Sequence, residues 1–329
     1  MTNSSASQPT PPPGPDGACS ASHRVSELVG PSEDVELSDA SPGTSADETN
    51  RLVDAVTRWL DNEHLSQLTP EQRSALQRLV QRLVGPAVSR RLGIVPWPAD
   101  FRLSVVMPVY NEHRTLRTVV DRVLAVGVPC EIIAVDDASS DSSPTILSEL
   151  AEAGVVRVFH HERNRGKGAA IRTGLAQVRG QVVLIQDADL EYDPFDYPLL
   201  LAPILEDRAD VVYGSRFSGN DRPVAKYWHQ TGNRVVTWVS NICTNLKLTD
   251  VETCYKVMRR QLVDQIAPTL REDGFGIELE LTAKLARLNN VRFHELPISY
   301  SPRGYAEGKK IHWHDAFRAI WCAARYSFG

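Results

Sequence analysis

The chain has 329 residues, 42% hydrophobic and 23% charged, an ordinary globular composition with room for one large domain plus an appendage. Its net charge is -5, and no basic stripe with interleaved aromatics points to nucleic acid. No apolar run approaches the ~18 residues needed to span a bilayer, and the polar start lacks a signal-peptide core. The expected location is therefore the cytoplasm, or the cytoplasmic face of a membrane as a peripheral protein.

Residues 1–48 are rich in Ser, Pro, Gly, Asp and Glu and nearly free of large apolar side chains, so this segment is expected to be disordered. Eight acidic residues and one basic one, Arg24, fall within residues 1–50, so the rest of the chain is close to neutral. The five cysteines (Cys19, Cys130, Cys243, Cys254, Cys322) are scattered and odd in number, which fits a reducing compartment and buried thiols.

Residues 49–95 read as a helical hairpin and a linker. Leu52, Val53, Val56, Trp59 and Leu60 mark the first helix. Thr69-Pro70-Glu71-Gln72 opens the second with a cap, a first-turn proline and a capping-box glutamine. Leu76, Leu79, Val80 and Leu83 then share one face, and Gly85-Pro86 stops it. Packing on the main domain and a dimer or partner contact both fit this hairpin.

From Arg102 the pattern alternates. Strands are expected at Leu103–Val109, Glu131–Val135, Val155–His160, Val182–Gln186 and Asp210–Tyr213. Helices are expected at Arg114–Ala125, Pro144–Ala153, Ala169–Val178 and Pro198–Glu206. This order implies an α/β fold with a mostly parallel sheet flanked by helices. Beyond it, helices and loops are expected, including a helix at about Tyr227–Leu246.

Polar residues follow the strands: Tyr110-Asn111-Glu112, Asp136-Asp137-Ala138-Ser139-Ser140-Asp141, Asp187-Ala188-Asp189-Leu190-Glu191 and Gly214-Ser215-Arg216. Open α/β sheets bind ligands at this edge. Helix capping accounts for Ser139, Ser140 and Asp141. It accounts poorly for Asp136-Asp137 and for the Asp187/Asp189 pair, two carboxylates that can share a divalent metal able to hold a diphosphate. Asn164-Arg165-Gly166-Lys167-Gly168 precedes a helix and can cradle phosphate, though neither the P-loop nor the dinucleotide spacing is present.

In order, Met107–Glu112, Val135–Ser139, Asn164–Gly168, Asp187–Glu191 and Gly214–Phe217 resemble the motifs of family 2 glycosyltransferases of the GT-A fold. The polyprenyl or dolichyl phosphate mannose and glucose synthases are the nearest resemblance, over residues 101–310, with 311–329 as a C-terminal amphipathic helix. The resemblance implies a Rossmann-like GT-A domain. It implies that Pro108, Tyr110, Glu112, Val135, Asp137 and Lys167 line the donor pocket with Asp187, Ala188 and Asp189. Asp187 and Asp189 would hold Mg²⁺ or Mn²⁺, with Glu191 at a further metal position, and Arg216 would face the phosphates. The implied reaction is inverting transfer of a hexose from a GDP-mannose- or UDP-glucose-type donor to polyprenyl phosphate.

The acceptor decides whether a base is needed. A phosphate monoester is already anionic at neutral pH, whereas a hydroxyl needs a positioned carboxylate. Asp273 and Glu278 are candidates, and capping and solvation of the following helix is the alternative. Arg303, Lys309 and Lys310 in Tyr300–Lys310 resemble a basic acceptor loop. Trp313, Phe317, Ile320, Trp321, Ala324 and Phe328 recur at helical spacing, as do Trp228, Val235, Trp238, Val239, Ile242 and Leu246. Either stripe can be core or a membrane-surface face. A saccharide or other hydroxyl acceptor, and a non-catalytic nucleotide-sugar-binding scaffold, are the competing expectations. A homo-oligomer is also compatible with the sequence.

Overall fold

The computed structural model describes residues 97–98, 100–218, 227–302, 321–322 and 325–326, with backbone alone for 227–231. The acidic tail, the hairpin at 49–95, the basic residues Arg303, Lys309 and Lys310, and most of the C-terminal segment lie outside the described residues.

Seven strands form one sheet: β1 (Leu103–Val109), β2 (Cys130–Asp136), β3 (Val156–His160), β4 (Val182–Ile185), β5 (Val211–Ser215), β6 (Lys256–Arg259) and β7 (Phe293–Pro297). Their spatial order is β3-β2-β1-β4-β6-β5-β7. β1 pairs in parallel with β2 and β4, and β2 with β3. β6 runs antiparallel to both β4 and β5, while β7 is parallel to β5. The central strands read as continuous apolar runs because both faces are covered, and Leu103, Val105, Val106 and Met107 are fully buried.

The helices are α1 (Leu116–Ala125), α2 (Ser143–Glu152), α3 (Lys167–Leu175), α4 (Tyr197–Leu205), α5 (Tyr227–Thr244), α6 (Arg260–Ile266) and α7 (Ile277–Ala286). Every expected strand and helix between residues 102 and 246 forms, with ends shifted by at most three residues. β6 and β7 are additions to the expected sheet. β6 is four residues long and flanked by charge, and its ends are neutralised within the fold. Lys256 is buried on backbone carbonyls, and Arg259 Nε donates to Asp210 at 3.0 Å. β7 contains His294, Glu295 and Pro297, suited to a sheet edge.

This topology sets the functional edge. Val109 pairs with Asp136 and Val106 with Ile185, so β1, β2 and β4 end side by side. β5 runs in the direction of β4 and ends there too. Because β6 runs the opposite way, the loop that precedes it arrives at the same edge. Among the described residues no helix is long and apolar enough to cross a membrane. Among the described residues Cys130, Cys243 and Cys254 are free thiols, and Cys322 is buried.

Candidate active site

The end of β1 is shaped by Asn111, whose φ of 55° lies in the left-handed region that Asn tolerates. Its N–H donates to Ser139 Oγ at 3.0 Å, and its Oδ1 accepts from Ser140 N–H at 2.8 Å, joining the β1 and β2 ends. Tyr110 is exposed and Pro108 half-buried beside it. Thr115 Oγ1 lies 3.2 Å from Glu112 Oε2 and 2.8 Å from the Ala188 carbonyl. The hydroxyl thus brings two expected donor residues together, a role its sequence position did not signal.

Val135 and Asp137 sit deeper than the donor-pocket reading expects. Val135 is fully buried, with its side chain beneath Gly174 of α3. Asp137 is 3% exposed; its oxygens accept the N–H groups of Arg165 at 2.8 Å and Gly166 at 2.7 Å, and its Oδ1 meets His161 Nδ1 at 2.7 Å. It holds the Asn164–Gly168 loop in place. The N–H groups of Arg165 and Gly166, two of those expected to cradle phosphate, are thus spent within the protein, and next to the loop Ala169 N–H donates to the Asp273 carbonyl.

The glycines of that loop serve a close approach. Gly166 has φ 99°, and a Cβ at Gly168 would stand 2.4 Å from the Glu272 carbonyl oxygen and 2.8 Å from that of Gly274. Backbone packs directly on backbone. Gly168→Ala is therefore expected to lower stability by about 1–3 kcal/mol, the usual range for overpacking, as read by urea denaturation. An unchanged midpoint and slope would show that the 272–274 segment yields freely.

Between the two glycines stands Lys167. Its Nζ lies 2.9 Å from Asp187 Oδ1 and 3.0 Å from Glu278 Oε1. Burial works against its charge, but the Asp187 and Glu278 carboxylates outweigh it and hold its pKa well above the ordinary lysine value. Glu278 Oε2 is buried and has no hydrogen-bond partner among the described residues. Asp273 takes a different course: its carboxylate is exposed and meets Arg172 Nη1 at 2.7 Å. Of the two base candidates, the structure thus brings Glu278 to the strand-end cluster and turns Asp273 to Arg172.

Asp187 and Asp189 follow β4 as expected. Gln186, fully buried, fixes that turn by accepting from Tyr197 and Tyr255 hydroxyls at 2.7 and 2.8 Å and donating to the Asp187 carbonyl at 2.9 Å. Asp189 Oδ1 accepts Glu191 N–H at 3.0 Å, and Glu191 Oε2 accepts the Tyr300 hydroxyl at 3.0 Å. Among the described residues no group of three or more His, Cys, Asp and Glu side chains is arranged to hold a metal by itself. The Asp187/Asp189 pair fits a hard divalent cation that completes its shell with phosphate oxygens and water.

Arg216 is held by a partner the sequence did not reveal. Its Nε and Nη2 donate to Asp250 at 2.7 and 2.8 Å, and its backbone N–H donates to the same carboxylate. Asp250 is fully buried and also accepts from Asn233 Nδ2 at 3.2 Å. Burial would raise the Asp250 pKa, but Arg216 outweighs it and keeps the carboxyl below its ordinary range. The guanidinium lies 5.3 Å from the Tyr300 ring centroid and 5.4 Å from that of Phe217.

Helix α5 turns its polar Asn233, Thr237 and Ser240 inward. Of the expected stripe, Val235, Trp238 and Ile242 are exposed, while Val239 and Leu246 pack against the core.

Strand ends thus bring paired carboxylates, a lysine and an arginine to one sheet edge of a GT-A fold. Residues 104–267 match the model for glycosyl transferase family 2. The chain carries a domain of that family and is a glycosyltransferase. It is similar in fold to glucosyl-3-phosphoglycerate synthase from Mycobacterium tuberculosis. The structure of that enzyme with Mn²⁺, uridine diphosphate and phosphoglyceric acid is 19% identical, with a TM-score of 0.53, covering 73% of this chain and 82% of that one. Its complex with Mn²⁺, UDP-glucose and phosphoglyceric acid is 20% identical, with a TM-score of 0.53, covering 73% of this chain and 83% of that one.

Proposed function

We propose that this chain transfers a hexose from a nucleoside diphosphate sugar to a hydroxyl acceptor, by direct displacement at the anomeric carbon. The observation that carries the reading is the Asp187/Asp189 pair at the end of β4, with Lys167 on one side and Arg216 brought to the same edge by β5. The Mn²⁺, UDP-sugar and phosphoglyceric acid bound by the similar enzyme support both the donor class and a soluble acceptor.

Asp187 and Asp189 would hold the divalent cation, Mg²⁺ or Mn²⁺, which supplies positive charge against the departing diphosphate. Lys167 orients Asp187, and Glu278 keeps Lys167 in place. Arg216, fixed by Asp250, contributes a second cation whose position is set before substrate arrives. Tyr110 and Glu112 stand at the β1 end to contact the nucleoside, and Glu191, tied to Tyr300, supports the turn after Asp189.

A polyprenyl phosphate acceptor is the second reading, and the outward face of α5 favours it. Val235, Trp238 and Ile242 are exposed on a helix without an acidic residue.

Ligands that bind the native state raise its melting temperature by mass action. With Mn²⁺ present, UDP or GDP is expected to raise it, by about 3 kcal/mol of stabilisation at a hundredfold excess over Kd. No rise with any nucleoside diphosphate would remove the donor assignment. Product formation with a soluble hydroxyl acceptor but not with detergent-solubilised polyprenyl phosphate upholds the first reading; the reverse result replaces it with the second.

A further inference from the structure

Between Asn245 and Tyr255 the chain returns from α5 to the start of β6, and the middle of this loop is restrained from several sides. Upstream, Asp250 grips Arg216. Downstream, Cys254 Sγ donates to the Ile185 carbonyl at 3.4 Å and Cys254 N–H to the Tyr192 hydroxyl at 3.1 Å. These contacts tie the loop to the end of β4, two residues before Asp187. In the interior, the fully buried Lys256 ammonium donates to the carbonyls of Val251, at 2.9 Å, and Thr253. The residue between those two carbonyls is Glu252.

Glu252 is half-buried, and its carboxylate accepts no hydrogen bond among the described residues. Its neighbours are otherwise committed. Asp250 receives Arg216 and Asn233, Asp187 receives Lys167, and Glu278 has Oε1 on Lys167 and Oε2 sealed from solvent. The charges acting on Glu252 are Arg216, Asp250, Glu278 and Lys256. Leaving a carboxylate partly desolvated and without a donor is costly. Here the backbone on both sides is clamped so that it stays in that state. A carboxylate held this way beside a reaction site is suited to accept a proton.

We propose that Glu252 is the general base that accepts the proton of the acceptor hydroxyl. This rests on the reading that the acceptor is a hydroxyl. The acceptor oxygen bonds to the anomeric carbon as that carbon's bond to the diphosphate oxygen breaks. The hydroxyl proton passes to a Glu252 carboxylate oxygen, and the electron pair of the broken bond leaves with the nucleoside diphosphate. Lys256 is a positioning residue for Glu252. Burial pushes the Glu252 carboxyl up to about 7; Arg216 works against this, and Asp250 and Glu278 work with it. That places the group near the pH at which a base is most effective.

The test compares Glu252→Gln with the wild type, using the donor that raises the melting temperature most, with Mn²⁺, and water as the acceptor. Glu252→Gln is expected to keep the donor-induced rise and to release free sugar about 10²–10⁴-fold more slowly. The wild-type rate is expected to fall toward acid pH, and this fall should be absent from the variant. Unchanged sugar release with donor binding intact overturns the proposal. Failure of both proteins to bind any donor would instead defeat the functional reading.

A measurement free of turnover then judges the base. The carboxyl's raised affinity means that the folded protein holds a proton the unfolded chain releases between about pH 4.5 and pH 7. Wild-type stability therefore falls as pH rises through that window, and glutamine removes the effect. Glu252→Gln should exceed the wild type in melting temperature by a larger margin near pH 8 than near pH 5. An equal margin at the two pH values overturns the proposal.

Discussion

Asp189→Ala is expected to fold and to lose turnover by about 10³-fold or more. The side chain gives up the hydrogen bond from Glu191 N–H, worth about 1 kcal/mol, a modest part of the fold's stability. The catalytic cost is larger because the carboxylate is half of the pair proposed to hold the cation. A bound cation supplies several kcal/mol against developing charge, and each 1.36 kcal/mol is tenfold in rate. The measurement is release of nucleoside diphosphate at saturating Mn²⁺, with circular dichroism and melting temperature as controls for folding. A variant that folds, binds donor and turns over normally would remove Asp189 from the chemistry. Cellular function that survives complete loss of turnover would instead indicate a scaffold.

Asp250→Ala should be the most destabilising single change at the site, by about 3–5 kcal/mol in chemical denaturation. It leaves the Arg216 guanidinium, 14% exposed, without its fork partner, and Asn233 without its acceptor. Set against a total stability of about 5–15 kcal/mol, this loss brings the protein close to unfolding at room temperature. The double variant Asp250→Leu with Arg216→Met removes both charges and should recover most of that stability while remaining inactive. If Asp250→Ala costs less than about 1 kcal/mol, the pair is solvated and Arg216 is not pre-set for the phosphates.

The parallel half of the sheet was legible because β1, β2 and β4 are continuous apolar runs closed by polar turns. Asp187, Asp189, Lys167 and Glu278 were legible because strand-end and helix-start motifs put them at one edge, and the structure joins three of them directly. β6 was not legible, since Lys256 and Arg259 break its apolar pattern and become tolerable only through carbonyls and carboxylates far along the chain. Asp250 was hidden for the same reason. Its meaning comes from Arg216, 34 positions away, and no local spacing reports that. The glycines around Lys167 carried an ambiguous signal: phosphate cradling and close backbone packing both require them, and the carbonyls of residues 272–274 decide for packing.

The antiparallel position of β6 has a consequence for biosynthesis. β4 can join β1 as soon as residue 185 has emerged, but its other edge has no partner until Lys256–Arg259 follows. During that interval Val182–Ile185, all four buried in the finished sheet, present open hydrogen-bonding groups on an apolar ribbon, a template for pairing between nascent chains. A ribosome adding about 5–20 residues per second keeps that edge open for several seconds. The strand that carries Asp187 and Asp189 at its tip is thus a segment that gains from chaperone cover while the protein is made.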